Sequence, residues 1–250
     1  MIELVNVSAG YGKNTVLEGI STRIEKGKLT SVIGANGCGK STLLKVILGT
    51  VRLTCGDALI DESSVSTLSR VEIAKRVAYL PQEKNTPDMT VMQMVLHGRF
   101  PYLSYPRRYS REDIDIAADA LASMGISELA QASMHTLSGG MRQNAYIAMA
   151  LAQNTDHILL DEPTTYLDIS HQLSLMKLLR GLADGGKGIV AVMHDLPAVF
   201  EFSDEIIVLD GGRIAAQGAV QELYRTSVIR DVFGVELKRT ENGGKYYYNL

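Results

Sequence analysis

The segment Leu29-Thr30-Ser31-Val32-Ile33-Gly34-Ala35-Asn36-Gly37-Cys38-Gly39-Lys40-Ser41-Thr42 leaves little freedom in how this chain folds. A short apolar run enters a loop with glycine at 34, 37 and 39. The stretch from Ser41 to Gly49 that follows is apolar on most of its circumference and stops at a glycine, as a buried helix does. Strand, glycine loop and helix in that order is the context that the pattern G-x-x-x-x-G-K-[ST] requires. The glycines let successive backbone N–H groups turn inward around phosphate oxygens. Lys40 supplies positive charge to the outer phosphates, and the Ser41 hydroxyl can ligate magnesium. Cys38 occupies a free position of the pattern and reads as packing.

The rest of the chain fits an α/β frame. Val16 to Ile24 alternates in side-chain character and turns at Lys26-Gly27-Lys28 into the run 29–33, so two strands and a tight turn are expected. Val77 to Leu80, His157 to Leu160, Gly188 to Met193 and Glu205 to Leu209 are short continuous apolar runs, suited to strands covered on both faces of a mostly parallel sheet. Asp210-Gly211-Gly212-Arg213 predicts a hairpin, and Val235 to Leu250 a final one around Asn242-Gly243-Gly244. Glu83 to Thr136 differs: it holds three prolines, an aromatic and arginine cluster, and an amphipathic helical pattern from Arg111 to Met124. It reads as a helical lobe inserted into the core.

Other residues carry chemistry. Ile158-Leu159-Leu160-Asp161-Glu162 places two carboxylates at the end of a buried strand, where open α/β sheets put their ligands. Asp161 is suited to a magnesium shell and Glu162 to polarising an attacking water. His194 ends another apolar strand, at a carboxyl edge again, and is suited to a γ-phosphate contact. Ser138 is an expected N-cap for a helix through 141–151. Together with Gly139 and Gly140 it also forms a second close-approach anion site. One nucleotide hardly needs two such sites from one protomer, and a second copy of the chain supplying Ser138 across an interface resolves the surplus.

A net charge of -3 with pI near 6.0 argues against a nucleic-acid binder working by bulk electrostatics. The arginines of 99–111 do not change this, since Glu112, Asp113 and Asp115 follow them. No apolar run has the length of a membrane span, and the N-terminus lacks the pattern of a cleavable leader. Cys38 and Cys55 have no disulfide or metal-ligand spacing and are expected to be free thiols.

With these motifs in this order, the chain resembles the ATPase subunits of ATP-binding cassette (ABC) systems along essentially its whole length. The resemblance implies an α/β fold: a P-loop NTPase core with an antiparallel β portion and an inserted helical lobe. Residues 1–250 would be one domain, with a core lobe of 1–82 and 157–250 and a helical lobe of about 83–156. It implies ATP and Mg2+ as cofactors. Tyr11 would stack on adenine, and Gly34, Asn36, Gly37, Cys38, Gly39, Lys40, Ser41 and Thr42 would form the phosphate loop. Gln82 would be the Q-loop glutamine, at magnesium with Ser41 and, through water, Asp161. Glu162, His194, Gln82 and Lys40 would be catalytic, with Ser138, Gly139, Gly140 and Asp168 acting in trans in a head-to-tail dimer.

Within that family, Pro163 to Gln172 and Gly98 to Tyr102 look like the importers of iron-siderophore, haem and cobalamin complexes. The implied partners are a second copy, two integral-membrane permease subunits and, indirectly, a solute-binding protein, with no nucleic acid. The implied place is the cytoplasmic side of the membrane, as a peripheral protein. The alternative is a soluble ABC ATPase acting as an assembly switch, as in iron–sulfur cluster assembly. Leu137 to Gln143 would be the family's signature segment; Met141 and, just beyond it, Asn144 depart from its commonest residues, while Ser138, Gly139 and Gly140 are intact. The aromatic and arginine residues of Gly98 to Ser110 are expected on the surface that meets the membrane subunit.

Overall fold

The structure, a computed structural model, describes residues 1–82, 85–165, 167–240 and 245–249. It divides into two compact units, Met1–Leu68 with Leu175–Leu250, and Ser69–Ser174. Among the described residues, no helix is long and apolar enough to cross a membrane.

The first unit opens with β1 (Ile2–Tyr11), β2 (Asn14–Ile24), β3 (Leu29–Gly34), α1 (Lys40–Ile47), β4 (Leu53–Ile60) and the short β5 (Ser63–Ser64). The second unit holds α2 (Arg70–Arg76), β6 (Val77–Leu80), α3 (Val91–Leu96), α4 (Arg111–Ser123), α5 (Gly139–Ala152) and β7 (His157–Asp161). The division between units falls within α6 (Ile169–Asp184). The first unit then resumes with β8 (Gly188–Val192), α7 (Leu196–Phe202), β9 (Glu205–Asp210), β10 (Arg213–Ala219), α8 (Val220–Tyr224), α9 (Val228–Phe233), β11 (Glu236–Arg239) and β12 (Tyr246–Asn249).

In the first unit β2, β1, β4 and β5 form an antiparallel sheet, with Ile2 opposite both Ile24 and Ile60. Its inward face carries Leu4, Val7, Ala9, Leu17 and Ile20, all buried. The turn at 26–28 therefore joins strands of two different sheets, since β3 pairs in parallel with β8 and β9. Every residue of β3 and β8 is buried, which is why neither alternates. The Asp210–Arg213 hairpin forms as expected and adds β10 antiparallel to β9. At the C-terminal end, β11 and β12 pair with Arg239 opposite Tyr246, while the turn at Asn242-Gly243-Gly244 lies outside the described residues.

The second unit is a set of short helices started by hydroxyl caps. Ser69 with Glu72, Thr90 with Gln93 and Ser110 with Asp113 each form a reciprocal capping box, and Ser138 caps α5. A buried ion pair holds the segment after α3: Arg99 Nε donates to Asp113 Oδ1 at 2.9 Å and its Nη1 to the Ala152 carbonyl at 3.1 Å. Tyr102 stacks on the Arg99 guanidinium and donates its hydroxyl to the Gln153 carbonyl at 2.9 Å. Gly98 is required here, because a Cβ would sit 2.2 Å from the Met149 carbonyl oxygen. The expectation that the whole of 98–110 faces a partner is thus corrected: Arg99 and Tyr102 belong to the packing of this unit, whereas Phe100 and Tyr105 are exposed.

Burial raises the Asp113 carboxyl, but the Arg99 guanidinium and Ser110 more than offset it and leave the group below its ordinary value. Asp113→Ala leaves the Arg99 charge buried without its partner and should destabilise the protein by about 3 kcal/mol, read from its urea unfolding midpoint.

Candidate functional site

In the first unit the predicted residues gather at the carboxyl ends of parallel strands. Val32 of β3 is the register partner of Val192 of β8, so Gly34 and His194, each two residues further on, leave the sheet at the same edge. There the loop 35–39 turns into α1, whose N-cap Gly39 has a left-handed backbone and no side-chain cap. The Lys40 ammonium is drawn back over the loop, donating to the carbonyls of Gly34 at 2.9 Å and Ala35 at 3.0 Å. An ammonium carries three protons, so a ligand oxygen can take the third.

The loop is closely fitted. A Cβ at Gly34 would lie 2.2 Å from the Leu209 carbonyl oxygen and 2.6 Å from Cys38 Sγ. Cys38 therefore fills the space that the missing side chain leaves. Burial pushes its thiol above the ordinary value against the pull of Lys40, which keeps it a neutral packing group. Thr42 is buried, Ser41 half-buried, and Tyr11, at the end of β1, half exposed. His194 is exposed, and Asp195 beside it caps α7 by accepting from the Ala198 N–H at 3.3 Å.

The second unit repeats the arrangement. Leu80 of β6 pairs in parallel with Leu160 of β7, so Gln82 and Glu162, each two residues beyond, emerge together. Asp161 is 2 % exposed, with the Tyr79 hydroxyl 3.5 Å from Oδ2. Glu162 is half-buried and has φ of 52°, a left-handed backbone uncommon for a non-glycine residue. The segment after it is bracketed by two glutamines: Gln143 Nε2 donates to the Pro163 carbonyl at 2.6 Å, and Gln172 Nε2 to the Leu167 carbonyl at 2.9 Å. Tyr166 lies outside the described residues.

Asp168 closes that segment. The His171 N–H, the Ser170 hydroxyl and the His171 ring all reach its carboxylate and hold it well below the usual carboxylate range. Both glutamines close segments that the sequence motifs mark, 137–143 and 163–172, but neither was given a contact, because an amide inside a helical pattern shows no partner in the sequence.

Ser138 Oγ accepts from the Met141 N–H at 3.3 Å. Ser138, Gly139 and Met141 are exposed, so the start of α5 presents backbone N–H groups to solvent. Its charge is arranged for an anion: no acidic residue occupies the first turn, and the Arg142 guanidinium folds back on the Leu137 carbonyl at 3.0 Å.

The family model described as ABC transporter matches residues 17–165. The petrobactin import ATP-binding protein FpuD of Bacillus anthracis is 40% identical over 94% of this chain and 87% of its own length. The ferric enterobactin transport ATP-binding protein FepC of Escherichia coli (strain K12) is 41% identical over 92% of this chain and 85% of its own. Among solved structures, the dimeric bacterial ABC transporter cassette MJ0796 superposes with a TM-score of 0.78 at 30% identity, covering 88% of this chain and 99% of that one. A fold that places a glycine loop between β3 and α1 and a carboxylate pair at the end of β7, a family model spanning more than half of the sequence, and relatives alike along nine-tenths of it establish that the chain belongs to the ABC transporter family.

Proposed function

We propose that this chain is the ATP-hydrolysing subunit that energises import of a metal chelate, of the ferric siderophore class, through separate membrane subunits. The observation that carries the reading is the likeness, over most of the length of both chains, to the petrobactin import protein FpuD and the ferric enterobactin transport protein FepC. It favours import over the soluble assembly switch. The chain works as one domain, with a core lobe of 1–82 and 157–250 and a helical lobe of about 83–156. It sits on the cytoplasmic face of the membrane against two permease subunits, which receive the chelate from a solute-binding protein.

The chemistry follows from the residues. Tyr11 stacks on the adenine of ATP; the backbone of 34–39 and Lys40 cradle the phosphates, with Ser41 and Thr42 at the helix start. Ser41, Gln82 and Asp161 are hydroxyl, amide and carboxylate oxygens, the donor set magnesium takes. When bound, Mg2+ neutralises charge on the phosphates. Glu162 takes the proton of the attacking water, and His194 donates to the γ-phosphate.

A second copy, head to tail, brings Ser138, Gly139, Gly140 and Asp168 to the same nucleotide. The exposed helix start at Ser138 supports this. The function is tested by reconstituting the chain with its membrane subunits in vesicles: uptake of a ferric siderophore that requires ATP is expected, and uptake of cobalamin or haem alone would reassign the cargo.

Phe100 and Tyr105 support the docking surface. They are exposed, Tyr105 at 96%, and Arg107 stacks over the Phe100 ring at 4.5 Å, a composition favoured in interface anchors. Replacing both by alanine should weaken co-purification with the membrane subunits about tenfold or more while phosphate release by the free chain is kept. Unchanged co-purification would place the coupling surface elsewhere.

A further inference from the structure

We propose that Gln143 is a positioning residue that ties the general base Glu162 to the helix beginning at Ser138; this rests on the roles of Glu162 and Ser138 given above. Gln143 is 4 % exposed, and its 2.6 Å hydrogen bond ends on the carbonyl of Pro163, itself buried and next in sequence to Glu162. The left-handed backbone at Glu162 costs on the order of 1 to 3 kcal/mol for a side-chain-bearing residue and persists only where its surroundings over-determine it.

Part of that restraint is local. The Thr165 N–H donates to the Glu162 carbonyl at 3.3 Å and the Leu167 N–H to the Thr164 carbonyl at 3.2 Å, both inside the same turn. Gln172, which holds the Leu167 carbonyl, stands on α6, the helix that grows out of the turn. Gln143 reaches the turn from a different element. Proline has no N–H, so the carbonyl is the polar handle of the Pro163 backbone, and Gln143 holds it.

The element it reaches from is α5, which starts at Ser138-Gly139-Gly140, about 7 Å along the helix axis from Gln143 at 1.5 Å rise per residue. A displacement of that helix start carries the Pro163 carbonyl with it, and the proline ring, whose φ is fixed, passes the movement back to the Glu162 backbone that aims the carboxylate. Ser138 answers to the nucleotide of the partner, Glu162 to the nucleotide of its own chain. Gln143 therefore makes the base of one site sense whether the other site is engaged.

A double-mutant cycle on the full-length chain tests this. Gln143→Met keeps the length of the side chain and removes the donor. Affinity for ATP should stay within about twofold and KM should hardly move, while kcat falls about 10- to 100-fold, the scale of a misaimed catalytic group. In the Glu162→Gln background the same substitution should cost nothing further, because its effect passes through the carboxylate. An equal factor lost in both backgrounds marks a merely structural residue and overturns the proposal, as does wild-type kcat in Gln143→Met. Should Gln143→Met not fold, Gln143→Glu, of the same length and polar, takes its place in the cycle with the same two criteria. A wild-type chain that releases no phosphate overturns the ATPase reading itself, which keeps the two failures apart.

Discussion

Glu162→Gln is expected to retain bound ATP and to lose hydrolysis by on the order of 10² to 10⁴, the share of a positioned general base. The substitution keeps the size of the side chain and its ability to accept from Thr165, whose hydroxyl lies 3.5 Å from Oε2, so the turn at Pro163 is not disturbed. What is lost is the proton acceptor. The variant should accumulate as a closed dimer with nucleotide trapped, visible as a doubling of mass on gel filtration with ATP and magnesium. Phosphate release at the wild-type rate would remove Glu162 from the mechanism.

Ser138→Arg should abolish hydrolysis, by at least about 10², while an isolated chain binds ATP as before. The serine is exposed at the start of α5, so the larger side chain disturbs no packing within its own unit, and it is expected to obstruct the phosphate held by a partner. The decisive measurement is a mixed dimer of a Lys40→Ala chain with a Ser138→Arg chain. One composite site then carries both lesions and the other carries none, and activity above that of either homodimer is expected. A large loss of ATP affinity in the isolated Ser138→Arg chain would instead put the serine in the pocket of its own protomer.

The glycine loop and the strand-end carboxylates were legible in the sequence because each pattern is local. A glycine loop between a strand and a helix can be read from fourteen consecutive residues, and so can two carboxylates closing an apolar run. The buried parallel strands were legible for a related reason: Val77–Leu80 and Gly188–Val192 are uninterrupted apolar runs, with their ends within a residue of those expected. The antiparallel partners β1 and β4 were not. Register shifts along β1 break the alternation that marks a half-buried strand, and β4 exposes Thr54, Cys55 and Gly56 in succession.

Side-chain direction was the other blind spot. Arg99, Phe100, Tyr102 and Tyr105 have the same interface-like composition, yet the first and third are drawn inward by Asp113 and the Gln153 carbonyl, partners 14 and 51 residues away. No local pattern announces such pairs. The same holds for Gln143 and Pro163, 20 residues apart.

The backbone of Glu162 sets what the fold and the reaction each want from one position. A left-handed conformation is one that glycine adopts without penalty and asparagine tolerates, whereas glutamate does not. A sequence selected for thermal endurance alone would place one of those two residues after Asp161, and the protein would gain stability by giving up its base. Redesign of this chain guided by stability alone would therefore drift toward silence at residue 162, and a more heat-resistant variant obtained that way is expected to be a nucleotide-binding protein that no longer turns over.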